Sequence, residues 1–206
     1  MKSIKMRRLI KWIFISAGLG FLISLGFLTF VFFSVSGLFD PFHSYQELLD
    51  NYKSRTREIY ELRDYINSIV SDDKNVDIEF ENNKTLAYFH IVDDGKYYSN
   101  WDLKIKSGKV DTLLQILGWT NETLKTLNGK LNDANCISIA KGNPCKIGFQ
   151  RSGMGMYFYN LFDKPIPDSL MNNYNDSCTY ILFNRKVVFE YGGGVLGPQC
   201  FPDFKH

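Results

Sequence analysis

The spacing of hydrophobic positions changes several times along the chain, and each change marks a new element. From Trp12 to Phe39 there are 28 consecutive residues without a charge, and fourteen of those between Ile13 and Phe33 are Leu, Ile, Val or Phe. About 20 helical residues cross a hydrocarbon core, so this run predicts a single transmembrane helix over residues 12–39. Pro41 interrupts it, and Ser44-x-x-Glu47 reads as a capping box that restarts a helix. Tyr45, Leu48, Tyr52, Ile59, Leu62, Ile66 and Ile69 then recur at alternating three- and four-residue steps, which predicts an amphipathic stalk helix over 44–71. Arg55 is the one break in that period. The stripe suits either packing on the following domain or a homodimer through 44–71, and Tyr and Arg in the seam favour packing.

Beyond Asp72-Asp73 the period becomes two. Val76, Ile78 and Phe80 alternate with Asp77, Glu79 and Glu81, which predicts a half-exposed strand. Turns at Asn82-Asn83 and Asp94-Gly95 extend it into a three-stranded meander over Thr85–Val92 and Tyr97–Lys104. A helical hairpin follows. Val110, Leu113, Leu114 and Leu117 give one apolar face, closed by Gly118, and Leu124, Leu127 and Leu131 give the next, capped by Thr120 or Asn121. Strand signals return at 136–140, 146–150, 156–162, 179–183 and 186–191. The expected fold is therefore α+β: a membrane helix, a stalk helix, then a mainly antiparallel sheet with a helical hairpin in residues 72–206.

Charge adds a direction. Lys2, Lys5, Arg7, Arg8 and Lys11 fall in residues 1–11, which contain no acid. A basic flank before an apolar span stays in the cytoplasm, so the expected location is the inner (plasma) membrane, with residues 40–206 periplasmic or otherwise extracytoplasmic. The bilayer is then one partner, held through residues 12–39. Setting those five bases aside leaves 19 Lys and Arg against 22 Asp and Glu. That mildly acidic remainder excludes a nucleic-acid partner of the usual basic kind.

Cys136, Cys145, Cys178 and Cys200 all lie in the domain, and four cysteines in an exported domain predict two disulfides. Local pairing, Cys136 with Cys145 and Cys178 with Cys200, is preferred. The intervals between them do not supply the two close pairs of a structural zinc site, so no metal is expected. Asp73-x-Asn75-x-Asp77-x-Glu79 superficially resembles a calcium loop, but Ile78 and Lys84 stand where Gly and Glu are required. Its acids alternate with core residues, as a strand face should.

Catalytic chemistry is thin. Of His43, His90 and His206, only His90 lies well inside the domain, in an aromatic strand. No paired acid and base, nucleophile or cofactor fingerprint accompanies it, so no enzyme activity and no cofactor are expected. Two glycine clusters, Arg151–Gly155 and Gly192–Gly194 with Gly197, read as turns. Arg151 is nonetheless a candidate anion contact, and Trp101, in a strand with Tyr97 and Tyr98, a candidate partner contact.

The order of basic leader, apolar helix, amphipathic helix and sheet with a late Cys resembles the layout of type IV pilins. Gly20-Phe21-Leu22-Ile23 is similar to the start of their processing motif, but Leu25 stands where that family carries its glutamate. The expected function is a membrane-anchored module that binds another protein at the periplasmic face. Its most concrete form is an immunity protein against an envelope-acting toxin. The alternative is a small-ligand or glycan-binding envelope sensor using Arg151 or the aromatic strands.

Overall fold

A computed structural model of the protein describes residues 18–31, 43–152, 155–193 and 197–202. Contacts divide the chain into two compact units, Met1–Asp40 and Pro41–His206. In the first unit, residues 18–31 form helix α1. Ser24 Oγ and Thr29 Oγ1 bond back to the carbonyls of Gly20 and Leu25 at 2.9 and 3.0 Å.

The expected membrane span is corrected here. Among the described residues no helix is long and apolar enough to cross a membrane. A run of apolar residues shows that the chain avoids charge there, but not that one continuous helix of spanning length forms. The single-pass inner-membrane location, with residues 40–206 on the far side, rested on that span and falls with it. The basic flank at 1–11, the ends of the apolar run and Pro41 lie outside the described residues.

In the second unit α2 runs Tyr45–Ile69 and opens as its sequence suggests. Ser44 Oγ accepts from Glu47 N–H at 3.1 Å, and Glu47 Oε2 accepts from Ser44 N–H at 3.1 Å. His43 ties this end to the sheet: its N–H donates to Ser152 Oγ at 2.9 Å, and Tyr157 Oη donates to its carbonyl at 2.9 Å. Arg55, the break in the apolar period, has φ −122° and ψ 21° and kinks the helix. The hydroxyls of Ser54 and Thr56 bond to the carbonyls of Asp50 and Tyr52, one turn back, as bent helices often show. Leu48, Ile59, Leu62 and Ile66 on this helix are fully buried in the unit's core. The stripe is thus spent on the domain.

Eight strands follow: β1 Lys74–Asn82, β2 Thr85–Asp93, β3 Lys96–Lys104, β4 Ser138–Ala140, β5 Cys145–Ser152, β6 Gly155–Leu161, β7 Tyr180–Asn184 and β8 Val187–Gly192. They form one antiparallel sheet in the order β3-β2-β1-β4-β5-β6-β8-β7. Helices α3 (Gly108–Leu117) and α4 (Asn121–Asp133) lie between β3 and β4, and a short α5 (Asp168–Met171) precedes β7. Gly118, with φ 68°, ends α3 in the left-handed conformation that glycine adopts without penalty.

Alternation sorts the sheet into two faces. Val76, Ile78, Phe89, Ile91, Ile139, Ile147, Tyr159 and Phe189 join the buried side chains of α2, α3 and α4 in one core. Their neighbours along each strand point the other way. Tyr159 locks the layers: its hydroxyl donates to the Leu48 carbonyl at 2.9 Å and accepts from Asn51 Nδ2 at 3.0 Å.

Cys178 and Cys200 form a disulfide with Cα atoms 4.1 Å apart, which ties the segment after β8 to the start of β7. Cys136 and Cys145 are free, buried thiols, so the expected bond between them is corrected. The β4–β5 register explains why. Ser138 faces Gly148 and Ala140 faces Lys146, so the two cysteines belong to opposite ends of the pair, five residues apart along it. At about 3.4 Å per residue that is roughly 17 Å, far beyond the Cα spacing a disulfide tolerates. Closeness in sequence put them on one hairpin, but at its two ends.

Candidate functional site

The face turned away from the three long helices holds the site. Register places Trp101, Tyr88, Glu79, Ser138, Gly148, Phe158 and Glu190 in one row across seven strands. The next row holds Ser99, His90, Asp77, Ala140, Lys146 and Asn160. Small residues in the middle of both rows, Ser138, Ala140 and Gly148, make a trough. Its volume is about 230 Å³, and Tyr88, His90 and Trp101 wall one side while Lys146 and Phe158 wall the other. Gly148 cannot carry a larger side chain as packed, because a Cβ there would overlap Ser138 Oγ and Met156 Sδ.

The aromatic wall is contiguous. Tyr88 and His90 stack with centroids 4.9 Å apart, and Trp101 meets them edge-on at 5.5 and 4.9 Å. Trp101 and Tyr97 are 61% and 65% exposed, well above what large aromatics usually show on a settled surface.

Charge is concentrated and largely desolvated. Glu79 is only 2% exposed. Arg151 Nε donates to its Oε1 at 2.7 Å, while Oε2 is buried without a hydrogen-bond partner. Burial raises the Glu79 pKa, partly offset by Arg151 and reinforced by Asp77 and Glu81. Asp77 also titrates above its ordinary value because of burial, with Tyr88 as a hydrogen-bond partner and opposing help from His90 and Lys146. Desolvation lowers the His90 pKa, and its Nε2 is buried without a partner. Lys146 Nζ lies 2.7 Å from Glu190 Oε1 and 4.0 Å from the Phe158 ring centroid. Asn160 Nδ2 donates to the other Glu190 oxygen at 2.9 Å.

Both contacts singled out in the sequence thus fall on this face, but in different roles. Trp101 lines the trough and is open to solvent. Arg151 is committed to Glu79, so it is not a free anion ligand. Asp77, Glu79, Tyr88, Lys146 and Glu190 were not singled out as a site, since each reads locally as ordinary strand alternation. Only register unites them. His90 sits in the aromatic wall of the trough. The turn at Gly153-Met154 and the segment from Gly194 to Leu196 lie outside the described residues.

Chemically the cluster can hold a charged or hydrogen-bonding group, but it does not present a nucleophile. Ser138 Oγ lies 3.6 Å from Met156 Sδ and bonds with Tyr88, not His90. Burial pushes the Cys145 thiol up to about 12 and the Cys136 thiol still higher, which suppresses the reactive thiolate in both. Among the described residues no group of three His, Cys, Asp or Glu side chains is placed to hold a metal ion.

A larger hollow of about 510 Å³ lies between α4 and the β1–β2 turn, floored by Phe80, Ile105 and Leu124. On its rim Asn128 is bonded to Asn83 at 3.0 Å and Lys125 to Glu122 at 3.3 Å. No protein-family model, no curated protein and no solved structure matches this chain.

Proposed function

We propose that residues 43–202 form a binding module whose open sheet face docks a basic region of another protein. The observation that carries this reading is the combination, on one face, of two widely exposed aromatics with a desolvated and incompletely paired set of carboxylates. Aromatic anchors surrounded by polar groups are the usual currency of protein interfaces. The exposed part of the face lies over β2 and β3, where Tyr97 and Trp101 stand, whereas Met156, Asn160 and Val188 on β6 and β8 are buried. Beside the trough three carboxylates (Asp77, Glu79, Glu190) face two cations (Lys146, Arg151), and both cations are paired. The surplus charge is negative, and so is that of the chain beyond residue 11.

The small-ligand reading is weaker on two counts. The trough, at about 230 Å³, is smaller than the roughly 300 to 1,000 Å³ usual for such sites. Arg151, its expected anion contact, is already neutralised by Glu79. The more specific role of an immunity protein against an envelope-acting toxin depended on the membrane anchor and is not carried forward. Binding without catalysis fits a cluster in which Ser138 is turned from His90 and both thiols are buried.

The test is affinity capture with the full chain as bait, run in parallel with Trp101→Asp and with Lys125→Glu on the exposed side of α4. A basic protein recovered by the wild type and by the α4 variant, but reduced at least about tenfold by Trp101→Asp, supports the reading. Equal recovery by all three baits overturns it.

A further inference from the structure

The two walls of the trough are built from the same parts, and only one is complete. On the Phe158 side, Lys146 Nζ lies 4.0 Å from the ring centroid and 2.7 Å from a Glu190 carboxylate oxygen. Cation, aromatic face and carboxylate are all present there. On the opposite side stand a larger aromatic surface, made by Tyr88, His90 and Trp101, and a second carboxylate, Asp77. No ion pair to Asp77 occurs among the described residues. The neighbouring cations are both engaged, Lys146 by Glu190 and Arg151 by Glu79. His90 does not supply the charge either, because desolvation favours its neutral form.

We infer that the trough takes an arginine side chain of the basic partner, with its guanidinium paired to Asp77 and stacked on the Tyr88–His90–Trp101 wall. This rests on reading the open face as the docking surface and adds the group that enters it. A guanidinium is flat, weakly hydrated and rich in donors, so it can stack and pair at once, whereas a lysine ammonium is a compact and strongly hydrated charge. Two further polar atoms lie alongside without partners, the acceptor Glu79 Oε2 and His90 Nε2. Glu79 adjoins Asp77 two residues along β1, and His90 is the direct cross-strand partner of Asp77. The small side chains of Ser138 and Ala140 leave the floor open between the walls. Asp77 therefore stands half-buried beside the trough with no cation among the described residues paired to it, since Lys146 and Arg151 are held by Glu190 and Glu79.

The experiment titrates the full chain with the capped tripeptide acetyl-Gly-Arg-Gly-amide and with its citrulline twin, which keeps the shape and removes the charge. The Trp101 indole resonance reports binding. The expected result is a saturable shift with arginine, weaker by at least about tenfold with citrulline. Asp77→Asn should bring arginine down to the citrulline level and leave citrulline unchanged, with its thermal midpoint no lower than that of the wild type. Equal binding of the two peptides, no effect of Asp77→Asn, or no saturation at tens of millimolar arginine peptide overturns the inference. The broader reading fails separately. If capture is lost with Trp101→Asp but not with Asp77→Asn, the open face docks the partner and the arginine assignment is wrong. If capture survives both changes, neither stands.

Discussion

Gly148→Ala is the sharpest probe of how the trough is packed. Gly148 lies on the open-face row between Ser138 and Phe158, and Ser138 is 2% exposed, so its hydroxyl has little room to retreat. A Cβ at position 148 would overlap Ser138 Oγ and Met156 Sδ and come within 3.3 Å of Ser138 Cβ. The Met156 thioether is flexible and can swing aside, but Ser138 sits on a three-residue strand paired on both edges. Overpacking of this kind costs about 1 to 3 kcal/mol. For a unit of this size each kcal/mol moves the thermal midpoint by about 2 to 4 °C, so a loss near 2 kcal/mol lowers it by roughly 4 to 8 °C. The double variant Gly148→Ala with Ser138→Ala removes the clashing oxygen and should recover at least half of the loss. That is a coupling of about 1 kcal/mol between touching residues. Calorimetry or chemical denaturation of the four proteins reads the cycle. A Gly148→Ala protein as stable as wild type, or two strictly additive substitutions, would refute the packing described for the trough floor.

Opening the Cys178–Cys200 bond releases a loop of sequence separation 22. The chain-entropy estimate for that length is about 3.4 kcal/mol, so Cys178→Ser with Cys200→Ser should lower the thermal midpoint by roughly 7 to 14 °C. No change would show that the bond does not form. Alkylation of native, unreduced protein should leave Cys136 and Cys145 unlabelled, and denaturation without reductant should expose these two thiols while Cys178 and Cys200 stay protected; four labels contradict this. The raised pKa of Asp77 means that the fold holds that proton more tightly than the unfolded chain does. Its stabilisation is present below the unfolded carboxylate range and is lost as pH rises through the folded value. Asp77→Asn should therefore be the more stable protein at pH 7, with an advantage that shrinks toward zero in acid. A variant less stable than wild type at pH 7 would contradict the desolvation argument.

How far the sequence could be read follows from the range of each interaction. Elements are local, and the switch from a 3.6-residue to a two-residue period at Asp72-Asp73 placed α2 and β1 where they occur. The break in the apolar stripe at Arg55 was readable, but the kink that the helix makes there was not. Alternation also showed which side chains of each strand share a face. Register was not readable, because it depends on pairings such as Glu79 with Ser138 that join distant segments. The site is made of register. Arg151 reaches Glu79 across 72 residues, and Lys146 reaches Glu190 across 44. Cys136 and Cys145 show the same limit in reverse, since nearness in sequence suggested a bond that the ladder forbids. The apolar run at 12–39 misled for another reason. Composition reports avoidance of charge, and among the described residues no helix is long and apolar enough to cross a membrane.

The measurement that tests the central claim most directly is an amide chemical-shift map of the full chain during titration with an arginine-rich peptide. Docking on the open face predicts shifts concentrated at Asp77, Tyr88, His90, Trp101, Ser138 and Phe158, with the outward positions of α2, α3 and α4 unmoved. Shifts concentrated on those helices, or spread evenly over the unit, would contradict it.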